Sequence, residues 1–180
     1  NQGDFERAEV WNNRLAAAAL ERRDQRYQAI ARLNALSIRY DSGDTAASVE
    51  IDQIALTATD WFVKAHAMRL SAFALMDRDR IGEALRLLSA ADTIIPDKAP
   101  YADTARAGLW EVTGLALMDL NDIEGATAAL RRFEIDFSDP AYPRPDFDAL
   151  YNLTRLSVQV GDQELAARLY AAHNLSLIHI

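Results

Sequence analysis

A chain of 180 residues, 50% apolar and 26% charged, is long enough to bury a core of its own and needs no covalent staple. It holds no Cys, which excludes disulfides, thiolate zinc sites and a thiol nucleophile. Its formal net charge of −8 disfavours phosphate backbones and anionic lipid as partners.

The charge is uneven. Residues 1–40 carry 7 Arg against 5 acids, and residues 41–180 carry 12 basic against 22 acidic residues. The first stretch places Arg14, Arg22, Arg23, Arg26, Arg32 and Arg39 in one run, which reads as a solvated helix face. No nucleic-acid partner is expected. No apolar run reaches the ~20 residues needed to span a bilayer, so membrane insertion is not expected either. No secretory leader is visible, which points to the cytoplasm, with the periplasm as the alternative. Arg outnumbers Lys 17 to 2, a bias that correlates with GC-rich bacterial genomes.

In chain order, apolar residues recur three and four apart and almost never alternate, which predicts helices throughout. The predicted helices are 4–22, 25–40, 45–57, 60–77, 79–94, 100–119, 122–136, 146–160 and 162–174. Breaks fall at Asp41-Ser42-Gly43, at Pro96 and Pro100, at Asn121-Asp122, across Ser138–Pro145 and at Gly161-Asp162. Gly and Asn accept left-handed backbone at helix ends, and Asp and Ser cap the starts. No Gly or Pro marks the break near Arg23-Asp24. Asp77-Arg78-Asp79-Arg80 superficially resembles a calcium loop. Arg stands where oxygen ligands and Gly are required, so it reads as a turn with local ion pairs.

The helices pair. A small residue returns in the second helix of each pair, at Ala8, Ala47, Ala84, Ala126 and Ala166, at intervals of 39, 37, 42 and 40. Twelve residues before the last four come Ala35, Ala72, Gly114 and Thr154. Small residues let two helix backbones approach, and larger ones at +4 and +7 fill the gap to the next pair.

The segment 107–140 carries Trp110, Gly114 and Leu117, then Ala126, Leu130, Phe133 and Pro140; 65–98 carries Ala72, Leu75, Ala84, Leu88, Ala91 and Pro96. This pattern resembles the tetratricopeptide repeat, in degenerate form and with a longer period. The resemblance implies an all-α fold, an α-α superhelix or solenoid of antiparallel helix hairpins. It would span residues 1–174, with units at about 1–24 (partial), 28–61, 65–98, 107–140 and 147–174.

The last six residues, LSLIHI, leave the pattern. They back-translate as CTG-TCT-CTT-ATA-CAC-ATC, the mosaic end of a sequencing-library transposon adapter. Residues 175–180 are therefore expected to be a non-native tail, and the chain a piece of a longer protein.

No phosphate loop, zinc-protease helix or Walker-type Lys-Ser/Thr pair occurs, and His66, His173 and His179 are isolated. No catalytic, cofactor or metal site is expected. Trp61 and Trp110 read as packing anchors. Asn152-Leu153-Thr154 fits a glycosylation sequon but sits in a predicted helix. The proline- and aromatic-rich stretch Glu134–Tyr151 reads as a linker tucked against the neighbouring pair or as a partner-contacting loop.

The resemblance further implies that the first helix of each pair lines a concave groove. The groove residues would be Arg32, Leu36 and Arg39; His66, Arg69, Phe73 and Met76; Glu111, Leu115 and Met118; and Tyr151 and Arg155. An apolar groove with several Arg suits an acidic or amphipathic peptide. The Lys and Asn set that some relatives use to clamp a terminal carboxylate is not reproduced. The expected function is thus a non-catalytic, protein- or peptide-binding scaffold. The alternatives are a sensory or regulatory segment of a signalling protein, such as a diguanylate cyclase, histidine kinase or transcriptional regulator, and a non-catalytic part of an enzyme.

Overall fold

The computed structural model describes residues 2–132 and 154–178. Helices account for all regular structure among these residues: α1 (Gln2–Glu21), α2 (Gln25–Asp41), α3 (Ala46–Thr57), α4 (Trp61–Met76), α5 (Ile81–Thr93), α6 (Ala102–Asp119) and α7 (Ile123–Arg131). They are followed by α8, helical over residues 154–159, and α9 (Gln163–Ile178). Phe133, Pro140, Tyr151, the Asn152 sequon, the Glu134–Tyr151 stretch and His179 lie outside the described residues. So do the C-terminal end predicted for the seventh helix and the first residues predicted for the eighth. The last helix runs on to Ile178, beyond the boundary expected at 174.

Five connections share one geometry. A residue with positive φ ends the helix, at Arg23 (54°), Gly43 (100°), Asp79 (59°), Asn121 (56°) and Gly161 (82°). In each, the next N–H reaches five residues back. Asp24 donates to Ala19, Asp44 to Arg39, Arg80 to Leu75, Asp122 to Leu117 and Asp162 to Ser157, all at 2.8–2.9 Å. These bonds satisfy carbonyls that a helix end would otherwise orphan. Asp then starts the next helix: Asp24 Oδ1 accepts from Tyr27 N, Asp122 Oδ1 from Gly125 N and Asp162 Oδ1 from Leu165 N. At the Asp79 turn Arg80 instead makes a bidentate pair with Glu83 at 2.6 and 2.7 Å. That is the local ion pairing expected of the Asp77–Arg80 stretch.

The other two connections are different. Before α4, Asp60 accepts from Phe62 N and Val63 N and also from Arg26 Nε at 2.9 Å, so one carboxylate caps α4 and ties it to α2. Burial pushes the Asp60 carboxyl up, but Arg26 and these amides outweigh it and hold it below the usual range. Before α6, the Pro96–Tyr101 segment ends on Tyr101 at φ 69°, and α6 begins without a side-chain cap.

Helices pack against their neighbours in the chain, α1 on α2 through α5 on α6 and α6 on α7. In addition α2 touches α4 and α4 touches α6. Among the described elements α3, α5 and α7 do not touch one another in this way. The apolar interior falls into two clusters. The larger joins α2 to α6 through Leu33, Leu36, Ile51, Met68, Leu88 and Val112. The smaller joins α6 to α9 through Ala107, Ala126, Leu130, Leu156, Leu165 and Leu169.

The recurrent small residues sit at these contacts. Ala47, Ala72, Ala84 and Ala126 are 0% exposed, Gly114 is buried, and a Cβ on Gly114 would collide with the Leu156 side chain. Ala8 departs from the expectation: it is exposed, because α1 has α2 as its one packing neighbour among the described elements. Tyr170, expected to fill a gap at +4, is also exposed at 61%.

Candidate functional site

The packing of α2, α4 and α6 encloses a cavity of about 260 Å³. Each helix contributes the residues that its register turns inward. From α2 come Tyr27, Ile30 and Asn34; from α4 Phe62, Ala65, His66 and Arg69; from α6 Thr104, Ala105, Ala107, Gly108 and Leu109. No Asp or Glu lines it, and Arg69 is its one charged lining residue. Gly108 is what admits Arg69, since a Cβ there would stand 3.1 Å from Nη1 and 3.3 Å from Cδ. Gly therefore leaves room for the guanidinium to lie flat on α6.

A chain of polar groups crosses the cavity. His66 Nε2 lies 3.4 Å from Asn34 Oδ1, and His66 Nδ1 lies 3.5 Å from Arg69 Nη2. A carbonyl oxygen only accepts and a guanidinium only donates, so the ring carries its proton on Nε2 and accepts at Nδ1. Arg69 Nη1 then faces Glu111 Oε2 at 3.9 Å. Glu111 is 3% exposed. At the rim, Phe62 meets Trp61 edge-on at 5.4 Å and Tyr101 at 6.3 Å. Burial, and next the Tyr101 hydroxyl beside it, hold the Tyr27 phenol above its ordinary value.

His66 has its pKa pushed down to about 3, first by burial and then by the Arg69 charge. The native ring thus stays neutral where an unfolded His, with a pKa of 6.5, takes its proton. Below that pH the unfolded chain binds more protons, so stability is lost as pH falls. The contribution is complete above pH 6.5 and shrinks by about 1.4 kcal/mol per pH unit down to about pH 3. Between pH 6.5 and about 5 the expected loss is about 2 kcal/mol. Urea midpoints of the parent and of His66→Gln over that window measure it. The parent should show the slope and the variant should lack it. Asp44, Asp60 and Glu83, all held low, act at more acid pH. Asp41, raised by burial and by Asp77, acts in the opposite sense and is common to both chains.

The remaining candidate groove residues are dispersed. Arg32 and Arg39 are exposed but turn toward α3, pairing with Glu50 at 3.5 and 3.2 Å, and Arg39 also with Asp44 at 2.6 Å. Leu36 is 3% exposed and belongs to the core. Phe73 and Met76 are partly buried and pack against the same core. Leu115 and Met118 are partly buried on α6, Met118 packing on the smaller cluster. Arg155 is exposed on α8. The structure thus brings His66 and Arg69 together in one cavity, with Glu111 at its edge.

Tyr27, Asn34, Phe62 and Thr104 escaped the sequence reading. Asn34 carried a usable signal, a polar residue four positions after Ile30 on the same apolar stripe. Trp61 packs on the larger core and Trp110 on the smaller, as expected of packing anchors. Trp110 also borders a second cavity of about 240 Å³ between α5, α6 and α7, and its Nε1 is buried without a hydrogen-bond partner.

Among the described residues no three His, Cys, Asp or Glu side chains gather as a metal site. No helix among them is long and apolar enough to cross a membrane. No family model, curated protein or solved structure matches the chain.

Proposed function

We propose that this chain is a tetratricopeptide-like helical repeat array, a superhelix of antiparallel hairpins, that binds a protein or peptide partner without catalysing a reaction. The contact pattern carries this reading. Stacked hairpins that curve bring one helix row together and spread the other. Here α2, α4 and α6 touch in series, while α3, α5 and α7 do not. The closed row is then the concave one, and Arg69 stands on it over an apolar floor. An acidic or amphipathic peptide suits such a surface.

Selection from a displayed library of random peptides tests the proposal. Binders should be rich in Asp, Glu and apolar residues. Arg69→Glu should weaken them about tenfold or more, whereas Glu124→Lys, on the exposed side of α7, should leave them unchanged. Circular dichroism checks that both variants keep their helix. Binders indifferent to Arg69, or sensitive to Glu124, would move the site off the concave row.

A second reading, a sensory or regulatory segment of a signalling protein, is favoured by the cavity itself. A peptide groove needs an open trough, whereas a recess between three helices holds a small group.

A further inference from the structure

The cavity between α2, α4 and α6 has properties that set it apart from ordinary packing defects. Empty voids in protein interiors are apolar and small, and an engineered void of about 150 Å³ binds benzene. This one is larger, about 260 Å³, and is lined by an arginine. In a chain with 27 acidic residues, its lining contains none.

One positive charge and several uncharged donors line it. Arg69 keeps donors in reserve, because its contacts to His66 and Glu111 are both long, at 3.5 and 3.9 Å. Thr104, a lining residue, has a buried hydroxyl without a hydrogen-bond partner. Thr104 and Ala105 belong to the first turn of α6, an 18-residue helix that has no side-chain cap and carries Asp103 in that turn. The Asn34 amide adds a further donor. Opposite these donors the walls are apolar: Ile30, Phe62, Ala65 and Leu109.

From this arrangement we infer that the cavity is a small-molecule site for a compact monocarboxylic acid with an aromatic or branched aliphatic body. The carboxylate lies on the Arg69 guanidinium, which offers it paired donors, and the body fills the space between Phe62, Ile30 and Leu109. His66 holds Arg69 in place through its Nδ1 lone pair and contributes no charge of its own. The inference shares Arg69 with the peptide reading but does not require it, because the acid sits in the recess whether or not a peptide docks on the concave row.

Calorimetric titration and ligand-observed nuclear magnetic resonance with benzoate, phenylacetate and 3-methylbutyrate test it, with benzamide, phenylacetamide and 3-methylbutanamide as neutral matches. At least one acid should bind the parent chain about tenfold or more tightly than its neutral match. Arg69→Gln should reduce that affinity by the same factor, and Ala105→Leu, which fills the cavity, should abolish it. Circular dichroism verifies the fold of each variant. No signal from any of the three acids overturns the inference, as does equal binding of acid and amide. Undiminished affinity in a folded Arg69→Gln or Ala105→Leu chain also overturns it. If both variants unfold, the acid-against-amide comparison on the parent chain decides. Peptide selection that fails while the acids bind would remove the peptide reading alone.

Discussion

Replacing Gly114 with Leu should destabilise the chain by about 3 kcal/mol, the upper end of the usual overpacking range. Gly114 lies on α6 and faces Leu156 of α8, which is 0% exposed. A single added Cβ already collides with the Leu156 side chain, and Leu brings three further carbons. Leu156 has little room to retreat, since Ala126, Leu130, Leu165 and Leu169 share its cluster. Gly114→Ala separates packing from propensity. Its helix gain of about 1 kcal/mol opposes the methyl clash, so its net effect should be small.

The location of the damage is as informative as its size. In a stacked array each unit leans on its neighbours, and stability is close to a sum of local terms. Amide hydrogen exchange in the Leu variant should therefore accelerate in α6 to α9, while α2 to α4, held by the larger cluster, keep their protection. Uniform acceleration along the whole chain would mean one cooperative core and would sink the stacked-hairpin reading.

Leu88→Ala should cost about 3–4 kcal/mol, within the range for deleting three buried carbons. Leu88 is 2% exposed on α5, in the larger cluster. It also borders the second cavity of about 240 Å³, beside Leu109 and Trp110. The new void opens onto an existing one instead of closing, which puts the expected cost in the upper half of that range. Against a typical total of about 5–15 kcal/mol, such a loss would shift the urea midpoint strongly at unchanged slope. A loss under about 1 kcal/mol would show that α5 slides inward to fill the space.

Much of the helical layout was legible because it is set locally. The first six predicted helices match within about two residues at both ends, as boundary uncertainty allows. Gly43, Asn121 and Gly161 announced their turns, since these residue types accept positive φ at little cost. Arg23 carried no such mark, and Asp79 was marked only by the charged Asp77–Arg80 run, yet both adopt it. In each case the bond reaching five residues back, with Asp24 or the Arg80–Glu83 pair beyond it, offsets a cost of about 1–2 kcal/mol. A rule based on residue type alone misses such turns, because the stabilising partners lie outside the turn residue.

The site was legible only in part, and for a different reason. The resemblance put His66 and Arg69 on the groove list, but it put Leu36, Phe73 and Met76 there as well. One helix has a single periodicity for burial against its partner and for facing a groove. Only the positions of neighbouring helices separate the two. Leu36 is buried in the larger cluster, and the charges of Arg32 and Arg39 are drawn to Glu50 on α3.

The sequence by itself determined the helices, their turns and the small residues that allow close approach, because propensity, capping and periodicity act within one or two turns of chain. Tertiary structure alone decided that Asn34, His66, Arg69 and Thr104 share one cavity. These four come from three helices, and the first pair is 32 residues apart. Their meeting depends on how α2, α4 and α6 cross, a geometry set by the summed packing of many side chains that no short stretch encodes.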